Sequence, residues 1–163
     1  MRQGMMLLFC AALAACGSSS SSGELFHANM NSAVEIPAPN VAGANPTGTA
    51  VFTNNGDGTV SYTVNASGLT TQFSGVTFTA MHIHLAAAGA TAGFSVPLTT
   101  PTAGATAGTT TVTGTFSATN VVAPATFDSV LTAMRNGNAA YLNIHTSRNP
   151  NGELRGQIST GGL

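Results

Sequence analysis

Thr49-Ala50-Val51-Phe52-Thr53-Asn54-Asn55-Gly56-Asp57-Gly58-Thr59-Val60-Ser61-Tyr62-Thr63-Val64-Asn65-Ala66 reads as two strands and the turn between them. Val60, Tyr62, Val64 and Ala66 alternate with Ser61, Thr63 and Asn65, the period of two that sends alternate side chains to opposite faces of a strand. Asn54 to Gly58 breaks the alternation with residues that tolerate positive φ, so the stretch predicts a hairpin with one buried face. The same pattern recurs at Glu24 to Met30, Val76 to Leu85, Phe94 to Leu98, Thr110 to Ser117, Ala140 to Thr146 and Glu153 to Ser159. Eight short strands divided by Gly, Pro and Asn predict an all-β fold, a Greek-key-like antiparallel β-sandwich or partly open barrel.

One segment departs from the period of two. Phe127, Val130, Leu131 and Met134 recur at helical spacing, with Thr126 as N-cap, Asp128 in the first turn, Arg135 in the last and Gly137 as the stop. This predicts one short amphipathic helix over 126–136, its apolar stripe facing the core. The hexapeptide Ala-Gly-Ala-Thr-Ala-Gly at 88–93 and again at 103–108 predicts two mobile small-residue loops, too few copies for a solenoid.

The chemistry concentrates in Met81-His82-Ile83-His84 and Tyr141-Leu142-Asn143-Ile144-His145-Thr146, which hold three of the four histidines. Strand parity sends Met81, Ile83, Leu142 and Ile144 one way and His82, His84, Asn143 and His145 the other. If the two strands are neighbours, His82, His84 and His145 form a candidate metal site, with copper or zinc suited to imidazole donors and a fourth position left open. Leu154, Gly156 and Ile158 are expected to face inward, leaving Glu153, Arg155 and Gln157 outward beside His145, Asn143 and Tyr141. Glu153 or Arg155 then lies across from His145, and Glu153 is either the acceptor that orients the imidazole or half of a surface Glu–Arg pair. The competing reading makes the histidines and Asn143 a structural network bonded to loop backbone. His27 is expected to face solvent, and Glu35 to serve a backbone amide or an arginine.

Composition sets the limits. In 163 residues, 43% are hydrophobic and 6% charged, with no lysine, which suits one ordinary domain with a real core. Arg2 followed by the apolar run Met5 to Leu13 reads as a signal peptide over 1–15, too short to span a bilayer as a helix. Leu13-Ala14-Ala15-Cys16 resembles the lipobox of bacterial lipoproteins, and that resemblance implies cleavage before Cys16 and its lipidation. Gly17 to Gly23, five serines between two glycines, completes a flexible tether over 16–23, leaving 24–163 as the folded domain. With that cleavage Cys10 leaves with the signal, and no disulfide is then available. Gly17, where an Asp would signal inner-membrane retention in lipoproteins, points to the outer membrane. Three arginines against five carboxylates leave the mature chain at −2 with no basic stripe, which argues against nucleic acid. No Ser-His-Asp spacing, phosphate-cradling loop or reactive thiol stands out.

Phe26-x-Ala28, Val34-Glu35-Ile36-Pro37, Gly48-Thr49-Ala50, His82-Ile83-His84 with Gly89 and Gly93, Tyr141 to Thr146, and Asn149-Pro150-x-Gly152-Glu153-Leu154-Arg155-Gly156-Gln157-Ile158 together resemble the CHRD domain. The resemblance covers about Glu24 to Ser159 and implies an extracellular all-β module without naming a substrate. His-x-His on a strand, a glycine-containing loop and a late histidine are also distantly similar to the copper site of copper-zinc superoxide dismutases, which implies dismutase-like metal redox chemistry if the protein is an enzyme. The chain lacks further histidines between His84 and His145 for a second metal. The expectation is an envelope-anchored, non-enzymatic binding or structural module, with two rivals: a mononuclear three-histidine transition-metal binder, and adhesion to an extracellular protein or glycan.

Overall fold

The hairpin around Asn54–Gly58 forms as β2 (Thr47–Asn54) and β3 (Thr59–Ser67), with Val60, Tyr62, Val64 and Ala66 buried. In the computed structural model, which describes residues 23–70, 78–98 and 110–162, the other strands are β1 (Glu24–Asn31), β4 (Phe78–His84), β5 (Phe94–Leu98), β6 (Thr110–Ser117), β7 (Tyr141–Thr146) and β8 (Leu154–Gln157). All pair antiparallel in one eight-stranded sheet, in the order β5-β4-β7-β8-β1-β2-β3-β6. The end strands β5 and β6 touch, and Val122 N donates to Ser95 O at 2.8 Å just beyond β6. The sheet is therefore a nearly closed barrel, the more closed of the two architectures expected, and closure leaves little free strand edge.

The helix α1 runs Phe127–Arg135. Thr126 Oγ1 accepts from Ser129 N at 3.2 Å while Ser129 Oγ accepts from Thr126 N at 2.9 Å, so the first turn's donors are satisfied reciprocally. Val130, Leu131 and Met134 enter the core, Phe127 packs edge-on to Phe116, and Arg135 forms a two-pronged pair with Glu24 of β1. The stripe is core, as expected. Among the described residues no helix is long and apolar enough to cross a membrane.

Residues 1–22, with Cys16, lie outside the described residues, as do 76–77 and the second Ala-Gly-Ala-Thr-Ala-Gly copy. The first copy is tied down rather than free. Ala88 N donates to Asn138 Oδ1, and the Ala90 carbonyl takes Arg155 Nη2 at 2.7 Å.

Phe26, Phe52, Phe116, Met81, Ile83, Leu142, Ile144, Leu154 and Ile158 fill the barrel. β8 lies so close to β1 that a Cβ at Gly156 would overlap the Asn29 carbonyl and press on Met30. Both obstacles belong to the paired strand, so neither moves aside cheaply. Gly156→Ala is expected to cost about 2–3 kcal/mol in urea unfolding with an unchanged slope; a variant as stable as wild type contradicts the packing described.

Candidate metal centre

β4 and β7 are neighbours in the register Met81↔Ile144, His82↔Asn143, Ile83↔Leu142 and His84↔Tyr141, with Ala80 opposite His145. Met81, Ile83, Leu142 and Ile144 are fully buried, so parity places His82, His84, Asn143 and His145 together on the outer face. One ring nitrogen from each of the three histidines lies within 4.8 Å of the others. Three nitrogens of a tetrahedral site stand about 3.3 Å apart, so small side-chain rotations bring the set to ligand geometry.

Each imidazole is held from outside the cluster. The Nδ1–H of His84 donates to Ala92 O at 2.9 Å, and that of His145 to Pro150 O at 2.8 Å. A carbonyl only accepts, so both rings carry a proton on Nδ1, and in the neutral form Nε2 turns a lone pair the other way. His84 stacks on Tyr141 (4.6 Å, 2°), and His82 on Phe94 (4.6 Å, 17°). His82 also meets His145 edge to face at 5.2 Å.

The nitrogens left buried without a partner are Nδ1 of His82, Nε2 of His84 and Nε2 of His145. With Asn143 Oδ1 they make four of the seven such side-chain atoms among the described residues, all on this one face of the β4–β7 pair. An unpartnered buried polar atom costs about 1–3 kcal/mol. Burial, then the neighbouring His145 and His84 charges, push His82 down to about 4, and burial likewise lowers His84. Both are neutral at physiological pH, the form that ligates a metal.

The residues expected around the histidines divide. Asn143 stands at the centre of the face and donates through Nδ2 to Glu35. Arg155 pairs with Asn143 on β8, but its side chain is 2% exposed rather than on the surface: it lies 3.6 Å over the Tyr141 ring and donates to the Ala87 and Ala90 carbonyls. Glu153 does not reach His145. Its carboxylate is fully buried and accepts from Thr70 N and Oγ1 (both 2.6 Å), Thr146 Oγ1 (2.5 Å) and Asn149 Nδ2 (2.7 Å). The ladder of β8 begins only at Leu154, so the parity that governs the strand does not extend to Glu153. His27, expected to face solvent, is half-buried, with its backbone bonded in both directions to Ser159.

Sequence reasoning missed Glu35 as part of the site. It is 4% exposed, and its carboxylate takes the Ile36 amide as well as Asn143, so the expected backbone-amide role is present but at the cluster itself. Glu35, His84, Tyr141, Asn143 and His145 line a cavity of about 270 Å³. A larger cleft of about 420 Å³ beside Phe94 and Val122 has no titratable lining.

Burial pushes Glu35 up to about 7, against the pull of the Ile36 amide, Arg155 and Asn143. A raised carboxyl contributes stability that is complete below 4.5 and lost as pH rises through about 7, whereas His82 contributes stability present above 6.5 and lost as pH falls through about 4. Glu35→Gln removes the first dependence only. In the metal-free protein this variant is expected to exceed wild type in stability above pH about 7, by up to roughly 3 kcal/mol, with the gap closing toward pH 4.5. Urea unfolding across that range measures it, and a gap independent of pH contradicts it.

No curated protein and no solved structure matches the chain. The CHRD domain matches residues 26–158, which include every strand from Phe26 onward, all three clustered histidines, Glu35 and Asn143. A match over well more than half of the 163 residues identifies the chain as a member of the CHRD family.

Proposed function

We propose that this CHRD domain binds a single late first-row transition metal ion through His82, His84 and His145. Family membership supports a binding or structural module, and the convergence of three imidazoles with unpartnered nitrogens supports a metal as what is bound. A purely structural network is expected to satisfy its polar atoms internally. Here the backbone bonds go to the far side of two rings and leave the facing nitrogens bare. With imidazole as the only donor in the set, copper(II) is favoured over zinc by intrinsic affinity. The ion would supply Lewis acidity or, as copper, one-electron chemistry; the chain would supply three imidazole ligands and an adjoining cavity.

The same proposal holds the domain at a bacterial envelope surface, with the outer membrane as its site. Support comes from the apolar leader, Leu13-Ala14-Ala15-Cys16, and a serine tether that ends where β1 begins at Glu24. Seven tether residues reach at most about 25 Å, which keeps the metal site close to the bilayer.

Copper titration of metal-free wild type is expected to saturate at one equivalent. The His82→Ala, His145→Ala double variant is expected to weaken binding at least about 100-fold, since loss of two ligands exceeds the loss caused by disturbing the groups that orient them. Equal weak binding by both proteins overturns the reading. Independently, Cys16→Ser is expected to move the protein from the membrane to the soluble fraction on cell fractionation; unchanged membrane association contradicts the anchor.

A further inference from the structure

On the imidazole-bearing face, the Asn143 side chain is not one of the proposed metal donors and is left with an unpartnered acceptor. It is 3% exposed, directly across from His82, and flanked two residues away on its own strand by Tyr141 and His145. Its amide has one possible orientation while Glu35 is ionised, because a carboxylate only accepts: Nδ2 must face Glu35, which leaves Oδ1 as a buried acceptor without a partner. The arrangement is fixed from behind. Glu35 is anchored by the Ile36 amide at 2.9 Å, and Gly152 comes so close that a Cβ there would stand 2.6 Å from both Asn143 Nδ2 and Glu35 Oε2. The contrast with Glu153, whose carboxylate takes four donors, marks the Glu35–Asn143 pair as aimed at something other than the protein itself.

The cavity of about 270 Å³ that Asn143 shares with His84 and His145 is far larger than the roughly 30 Å³ of one water, so it has room for a small ligand beside the histidines. We propose that this cavity takes a small protic oxygen ligand, water or hydroxide at rest, whose proton is accepted by Asn143 Oδ1, and that Glu35 positions Asn143 for this. The inference rests on the three-histidine metal reading and adds a selectivity to it: ligands that donate a hydrogen bond are favoured over aprotic anions of similar size. An aprotic anion brings no donor to Oδ1 and sets lone pair against lone pair.

Azide, which carries no proton when ionised, is the probe, and its charge-transfer band on the copper-loaded protein gives its affinity at fixed pH. Asn143→Leu removes the acceptor at similar volume and no change of charge. It is expected to keep wild-type copper stoichiometry and to bind azide about five- to tenfold more tightly, the size of one net hydrogen bond. Asn143→Val serves the same purpose on a strand-favouring side chain if the leucine variant does not fold. A merely structural asparagine would alter unfolding without altering azide affinity in a folded, copper-loaded variant. Copper uptake with unchanged azide affinity overturns this inference alone; no copper uptake by wild type overturns the metal reading and this inference with it.

Discussion

The antiparallel pairing of β4 with β7 is the constraint on which the site depends. Burying Met81, Ile83, Leu142 and Ile144 contributes roughly 6–12 kcal/mol together, and leaving three imidazole nitrogens unpartnered costs roughly 3–9 on the same scale. The margin is narrow, so the ribbon is pinned from both sides: β7 is hydrogen-bonded to β4 and to β8, and β8 in turn to β1. A slip of one residue would drive His82 and His84 into the barrel and expose Met81 and Ile83. The gathering of the histidines is thus a consequence of where the apolar residues must go.

The turn between β7 and β8 converts that ribbon into a shaped site. Pro150 offers the carbonyl that holds His145, Gly152 yields the space in which Glu35 and Asn143 meet, and Asn149 and Glu153 lock the turn to Thr70 and Thr146. Asn149-Pro150-x-Gly152-Glu153, the most specific part of the family resemblance, therefore has a physical reading residue by residue. Two buried glutamates beside this turn do opposite things. Glu153 is saturated with four donors and fixes structure; Glu35 has two, and burial raises its proton affinity.

Much of this was legible in the sequence because it rests on periodicity. The strands at Phe94–Leu98 and Thr110–Ser117, the helix with its Thr126 cap, and the shared face of His82, His84 and His145 all follow from short-range rules applied to alternating or helical spacing. What escaped lies where those rules stop. Glu153 sits one residue before its ladder begins, so parity misplaces it. Glu35 is 108 positions from Asn143 and reaches it through a turn whose path no local pattern encodes. The stacking of His82 on Phe94 depends on the β4–β5 register, which shifts between Ile83 and His84. Arg155 reads as a surface charge by alternation, yet the loop carrying the first Ala-Gly-Ala-Thr-Ala-Gly copy folds over it and supplies its acceptors.

Charge balance ties these pieces together. The Arg155 guanidinium over Tyr141 and the Glu35 carboxyl beside Asn143 flank the histidines. Burial and, more weakly, Arg155 disfavour a proton on His84, whereas at Glu35 the pull of Arg155 toward the ionised form is outweighed by burial. The Asn143 amide on the face of the three imidazoles is held by a buried carboxyl rather than by solvent, so the selectivity proposed for the site rests on donor type and on that amide.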